Sequence, residues 1–292
     1  MRFTQSGIWR DHFMSFSFEY VDSIIDRTTD CIEKNGDFNI NDKLYVGVDL
    51  GTAYIVLVVV DSKGNPIATE LQYAEVVRDG LVVDYSRACS IVRELKGKLE
   101  NRLGVELVNA AIAMPPGVNN KSVATHRYVA ESAGFEVLNV IEEPEAANYI
   151  LNIDNGAVVD VGGGTTGIAI FNNGKMIYTA DEPTGGTHFT LTIAGNYGIS
   201  FNEAENKKKD KNNSKEIFRI VLPVIQKVGS IISKHIKDYN VDLICLVGGT
   251  VCLDGFENVV EKETNVHTIK PKNPFLVTPL GIAMSLVENN KN

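Results

Sequence analysis

At 292 residues and 44% apolar side chains, the chain has material for one two-lobed domain or two ordinary ones, each with a sizeable core. A formal net charge of −9 argues against a nucleic-acid partner, and no apolar run is long enough for a membrane span. Four scattered cysteines without C-x-x-C spacing fit a reducing cytoplasm, and five histidines show no metal-ligand spacing.

Residues 1–42 differ in character from the rest of the chain. They hold the only tryptophan, Trp9, and no strand pattern. Val21, Ile24, Ile25, Thr28 and Ile32 fall near helical spacing, with Asp22, Asp26, Arg27, Asp30 and Glu33 opposite. The pattern predicts one amphipathic helix, joined by a linker marked by Asn35-Gly36-Asp37. Either that helix packs on the domain or it is a docking peptide. On the second reading, deletion of residues 1–40 leaves the fold intact.

Val46-Gly47-Val48-Asp49-Leu50-Gly51-Thr52 opens the next region, and Ile55–Val60 continues it as a second β-type run ending in Asp61-Ser62-Lys63-Gly64-Asn65. Leu71–Val77 and Leu81–Val83 read as further strand segments. Helices are expected at Ser86–Arg102 and Ser122–Ser132, strands at Val108–Met114 and Val137–Ile141, and a helix opening at Glu142-Glu143-Pro144. The pattern then restarts. Val158-Val159-Asp160-Val161-Gly162-Gly163-Gly164-Thr165 echoes the first motif, with Ile168–Phe171 and the turn Asn172-Asn173-Gly174 behind it. A helix at Ile217–Lys237, a strand at Leu243–Val247, the turn Gly248-Gly249-Thr250 and a last helix after Thr278-Pro279-Leu280-Gly281 complete the chain. Lys207-Lys208-Lys209 reads as a solvated loop or helix face, and Cys245 and Cys252 as buried small hydrophobes.

The duplicated strand–Asp–Gly-turn–strand unit is the main functional signal. Glycine lets backbone N–H groups approach a phosphate, Thr52 and Thr165 add hydroxyl donors, and Asp49 and Asp160 stand where Mg2+ would be held through its waters. Two such tips facing each other would grip a metal–polyphosphate from both sides. Gly162–Gly167 also fits G-x-G-x-x-G, with Asp181 near the distance expected of a ribose ligand. A dinucleotide site needs those glycines to open a helix, whereas here they lead into a second strand and a tight turn. No P-loop motif occurs.

These residues carry a resemblance. The succession Gly47–Thr52, Glu143-Pro144, Asp160–Thr165, Gly185-Gly186 and Val247–Thr250 resembles the actin-like ATPase superfamily, which includes the nucleotide-binding domain of DnaK-type chaperones and the filament protein MreB. Val77-Arg78-Asp79-Gly80 is similar to segments of MreB and FtsA. Leu44–Gly51, Val76–Asp84, Pro115–Val118, Asp160–Ile170, Ala180–Gly186 and Phe275–Ala283 look like the EutJ family of ethanolamine-utilisation proteins from bacterial microcompartment operons.

The resemblance implies a duplicated α/β, ribonuclease H-like fold: an extension at 1–42, lobe I at 43–153, lobe II at 154–277, and a C-terminal helix at 278–292 returning to lobe I. It also implies a Mg2+–ATP/ADP site. Asp49 and Asp160 match the Mg2+-associated aspartates, Gly51, Thr52 and Ala53 the first phosphate loop, and Gly162, Gly163, Gly164 and Thr165 the second. Glu143 matches the residue that positions the attacking water. Gly248, Gly249 and Thr250 match the adenosine loop, Gly185 and Gly186 count among the nucleotide-binding residues, and Glu205 and Lys208 match a pair beside adenine and ribose.

Two departures stand out. Thr187-His188 follows Gly185-Gly186 where the family has an acid, which makes His188 a cleft candidate. Only Lys209–Lys215 separates the adenosine helix from the next, so the second-lobe lid is reduced. The expected function is a Mg-ATP-binding chaperone or assembly factor of the ethanolamine microcompartment, a weak ATPase at most, whose partners are ethanolamine-utilisation enzymes or shell proteins. A non-hydrolysing scaffold is the alternative; a filament protein ranks lower and a small-molecule kinase last.

Overall fold

The computed structural model describes residues 6–289; the outermost residues of the predicted extension and of the predicted last helix, 1–5 and 290–292, lie outside it. Two five-stranded sheets of identical topology account for the duplication. In the first, β1 (Tyr45–Leu50), β2 (Tyr54–Val60) and β3 (Pro66–Tyr73) run antiparallel. After the small hairpin β4 (Val77–Arg78) and β5 (Leu81–Val82), α2 (Tyr85–Leu103) leads to β6 (Asn109–Met114). Then α3 (Asn120–Ser132) leads to β7 (Glu136–Glu142). The sheet order is β3-β2-β1-β6-β7, with the last two pairings parallel.

The second sheet repeats this as β10-β9-β8-β11-β12. Its strands are β8 (Gly156–Val161), β9 (Thr166–Asn172), β10 (Lys175–Glu182), β11 (Leu243–Val247) and β12 (His267–Ile269). Its helices are α5 (Gly186–Tyr197), α6 (Phe201–Lys209), α7 (Ser214–Ile236) and α8 (Phe256–Thr264). Leu71–Val77, expected as one strand segment, instead spans the end of β3, a break and the start of β4. A single 3-10 turn, Lys211–Asn213, joins α6 to α7, so the second lobe lacks a lid of any size there.

Two faces of the sheets are covered from outside, by α2 and α3 in the first lobe and by α5, α7 and α8 in the second. The inner faces share one core. Helices α4 (Glu143–Leu151) and α9 (Val277–Asn289) lie between the sheets, packed on Val56 and Val58 of one and on Val158, Ala169 and Cys245 of the other. Strands buried on both faces read as continuous β-branched runs, which is why β1, β2, β8 and β9 are legible from sequence. Cys245 is buried as expected; Cys252 is exposed, because it ends a short 3-10 turn at the surface rather than continuing the strand.

The N-terminal helix α1 (Ser6–Asp30) is part of the domain. Val21, Ile24 and Ile25 are fully buried in the shared core beside α4 and α9. The chain beyond α1 closes the edge of the first sheet, with Thr69 N–H donating to Cys31 O at 2.9 Å and Gly36 N–H to Ile67 O at 2.8 Å. Arg102 of α2 clamps the join, donating to Cys31 O at 3.0 Å and pairing with Glu70 at 2.6 Å. The docking-peptide reading therefore needs correction: removing residues 1–40 strips the core of three aliphatic side chains. The expected loss is about 6 kcal/mol, at roughly 2 kcal/mol per buried side chain, and chemical denaturation of the truncated chain checks it. An Ile24→Ala variant should lose about 2–4 kcal/mol by itself.

Candidate functional site

The two glycine turns are built alike. Gly51 N–H donates to Tyr54 O at 3.0 Å, and Gly162 N–H to Thr165 O at 2.9 Å, each reversing the chain between antiparallel strands. Antiparallel pairing of β8 with β9 rules out the helix a dinucleotide fold would need. The turns face each other across the lobes and abut. A β-carbon built on Gly163 would lie 3.2 Å from Thr52 Cβ and 3.3 Å from Ala53 Cβ; one on Gly164 would lie 2.9 Å from Thr52 Oγ1. Bulkier side chains would force these turns apart.

Asp160 is the last residue but one of β8 and is buried, its carboxylate accepting a 2.5 Å hydrogen bond from the Thr278 hydroxyl at the start of α9. Gly248 carries the chain past this carboxylate at φ +95; a β-carbon there would sit 2.4 Å from Asp160 Oδ1. Thr250 then donates to Gly162 O at 2.7 Å. Glu143 opens α4, whose following Pro144 packs against Gly167 of β9.

Four carboxylates converge electrostatically. Burial, then the charge of Asp160, pushes Asp49 up to about 7. Burial likewise raises Asp160 to about 6, with the Thr278 hydroxyl holding it back. Glu143 is pushed well above the carboxylate range by burial and by the charges of Asp160, Asp49 and Asp181. Asp181, at the end of β10, is raised to about 6 by burial, against a hydrogen bond from Thr165, with Asp160 and Asp79 adding repulsion. Its Oδ1 is buried with no hydrogen-bond partner among the described residues. Acids that shift together in this way share uncompensated negative charge.

This donor set fits a divalent cation bound with a polyphosphate. Among the described residues no three His, Cys, Asp or Glu side chains cage an ion directly. A cation here would keep water and phosphate oxygens in its shell, as Mg2+ does.

The adenosine-side candidates also meet. Glu205 accepts from the Thr190 hydroxyl at 2.6 Å and pairs with Lys208 at 2.6 Å. Lys208 Nζ further donates to Gly186 O at 3.2 Å and Thr190 Oγ1 at 2.8 Å. Burial pulls Lys208 below the ordinary lysine range. Burial works against Glu205, yet Lys208 and its hydrogen bonds hold that carboxyl below its usual value. Gly185 caps α5, its N–H reaching His188 Nδ1 at 3.4 Å, so His188 serves the helix end locally. Thr187 fills the departure from the family pattern by donating to Gly163 O at 2.9 Å, pinning the second glycine turn. Gly249 contacts Phe275, which packs edge-on against Tyr54.

Three participants escape a reading of the sequence. Asp181 stands out there only as a dinucleotide ligand; its position two residues before the Pro183–Gly186 turn is the available signal. Thr278 reads only as the start of a helix. The lysine run is more than a solvated face: Lys209, though exposed, lies over the rings of Tyr73 (4.2 Å) and Tyr54 (5.0 Å), tying α6 of one lobe to the first sheet of the other.

Comparison with known proteins places this geometry. The family profile of the type IV pilus assembly protein PilM matches residues 128–281, just over half the chain. The ethanolamine utilization protein EutJ of Salmonella typhimurium is 43% identical over 245 residues, covering 83% of this chain and 85% of that protein. The crystal structure of EutJ from Carboxydothermus hydrogenoformans, 46% identical, superposes with a TM-score of 0.86 over 92% of this chain and 98% of that one. MreB5 of Spiroplasma citri bound to AMPPNP shares the fold at 17% identity, with a TM-score of 0.68 over 85% of this chain and 98% of its own. Among the described residues no helix is long and apolar enough to cross a membrane. With this identity over this length, and the same two-lobed fold, the chain belongs to the EutJ family of ethanolamine utilization proteins, and its residues 128–281 also carry the PilM pattern.

Proposed function

We propose that the chain binds Mg2+–ATP or Mg2+–ADP between its lobes and acts as a nucleotide-dependent chaperone or assembly factor of the ethanolamine-utilisation microcompartment, in the cytoplasm, hydrolysing slowly at most. The observation that carries this reading is the group of four charge-coupled carboxylates behind two abutting glycine turns. Asp49 and Asp160 would hold the hydrated cation, which would neutralise phosphate charge. Backbone N–H groups of Gly51–Ala53 and Gly162–Thr165 would bind phosphate oxygens. Glu143, its acidity restored once a cation offsets its neighbours, would orient water. Gly185, Gly186, Gly248, Gly249, Thr250, Glu205 and Lys208 would border the nucleoside. Its clients would be the ethanolamine-utilisation enzymes or shell proteins.

A second reading, a nucleotide-binding scaffold without turnover, is favoured by the single 3-10 turn in place of a lid and by Thr187, whose hydroxyl is spent on Gly163. A site open on one side stays wetter and transfers phosphoryl groups slowly. Thermal melting with Mg2+–ATP, Mg2+–ADP and neither separates the readings when combined with ADP release. Saturation at 100 times Kd should stabilise the wild type by about 2.7 kcal/mol, and Asp160→Ala should respond to neither nucleotide. No nucleotide shift in the wild type rejects both readings. A shift with equal, background ADP release from wild type and Glu143→Ala leaves the scaffold.

A further inference from the structure

The duplication creates two equivalent sheet edges, β3 in the first lobe and β10 in the second. The first is closed by residues 31–36 through the Thr69 and Gly36 hydrogen bonds. The second has no strand on its outer side among the described residues. It is eight residues long and exposes Met176 (37%) and Ile177 (48%). A free edge of that length with apolar side chains is a template for another strand.

The edge is also held rigid. Tyr178 OH and His235 Nδ1 lie 2.7 Å apart, and His235 Nε2 and Glu182 Oε1 2.9 Å apart, fastening β10 to α7 from one face. The β-bulge between Met176 and Tyr178 then decides the charge pattern. It sets Lys175 opposite Asn172, Tyr178 opposite Ile170, Ala180 opposite Ile168 and Glu182 opposite Thr166. Without the extra residue, Lys175 and Glu182 would fall on opposite faces; with it they share one.

We propose that β10 pairs antiparallel with β10 of a second copy of this chain, on a two-fold axis through Thr179. With Ile177 bulged out of the ladder, an isologous pair in this register puts Lys175 of each copy opposite Glu182 of the other, Met176 opposite Asp181, and Thr179 opposite itself. The opposite charges at the two ends of one strand, brought to the same face by the bulge, select the second copy over an unrelated strand. This single join links the second sheets of two copies into one continuous sheet.

Light scattering on the full chain across a dilution series tests this. A dimer is expected, weakened at least about tenfold by Lys175→Glu, which sets two like-charge pairs face to face. At a dilution where the wild type is monomeric, thermal melts of that surface variant should match it. In a Cys252→Ser background, Thr179→Cys should crosslink the dimer under mild oxidation, since directly opposed β-carbons lie within disulfide reach, whereas Ile177→Cys should not. A monomer at every dilution overturns the proposal. So does a dimer indifferent to Lys175→Glu, or one that crosslinks through Ile177 and not Thr179.

Discussion

Gly281→Leu is expected to destabilise the protein by at least about 3 kcal/mol, the upper end of overpacking losses, and to remove nucleotide-dependent stabilisation with it. A β-carbon at Gly281 would lie only 1.9 Å from Ala146 O and 2.5 Å from Ala146 C. The obstacle is backbone, so no rotamer change relieves it. Helix α9 would have to leave α4, and each helix carries a piece of the site: Thr278 of α9 bonds Asp160, while Glu143 opens α4. Helix α9 is also packed on β1, where a β-carbon at Gly47 would lie 2.7 Å from Ala283 N. Urea denaturation and a nucleotide melt on the same variant measure both effects. Retention of the wild-type midpoint would contradict close packing of α9 on α4 as the basis of the interlobe core.

The nucleotide-free protein should become more stable as pH falls. Asp49, Asp160, Asp181 and Glu143 all have folded-state values above their ordinary range, so the folded state holds more protons than the unfolded one across the interval between the two. Stability is therefore greatest near the unfolded carboxylate value and declines as pH rises through about 6 to 7. Between about pH 5 and pH 8 the expected difference is on the order of 2–4 kcal/mol. Mg2+ with ADP should flatten the profile by supplying the missing positive charge. Asp49→Asn should flatten it too, raising stability at the alkaline end while abolishing the nucleotide response. Paired melts over pH, with and without Mg2+–ADP, check the sign. A melting temperature that climbs with pH in the nucleotide-free protein would refute the shared-charge picture.

The parts of the fold that depend on near neighbours in sequence were legible. Asp49 and Asp160 each close a β-branched run and precede a glycine turn, so their hairpins announce themselves locally. What required three dimensions was of another kind. Strand β10 mixes Thr179, Asp181 and Glu182 with apolar residues because it lies at a sheet edge, where alternation is weak. Helix α5 begins Gly-Thr-His and contains Thr190, Thr192 and Gly195, poor helix formers. It is held by burial of Phe189 and Ile193 rather than by propensity. The stripe Val21–Ile32 did predict a helix, but amphipathicity cannot say which surface will cover it. The lysine run looks solvated in sequence because its partners, Glu205 and Tyr73, become visible as partners only once α6 and the first sheet are placed.

The contact of Gly163 with Thr52 and Ala53 has a kinetic consequence. A phosphate lodged between the turns would have to widen the gap between Gly163 and Thr52 and Ala53, and any parting of the two sheets would also pull on the Lys209 contact with Tyr54 and Tyr73. If the proposed nucleotide site fills only after such a widening, capture there would be a first-order opening followed by fast association. Its observed rate climbs with ligand concentration only until it meets the opening rate, which for hinge motions of whole lobes lies on a scale of about microseconds to milliseconds. In that case residence time would be governed by the same step, and the protein would hold a bound ligand until the gap widened again.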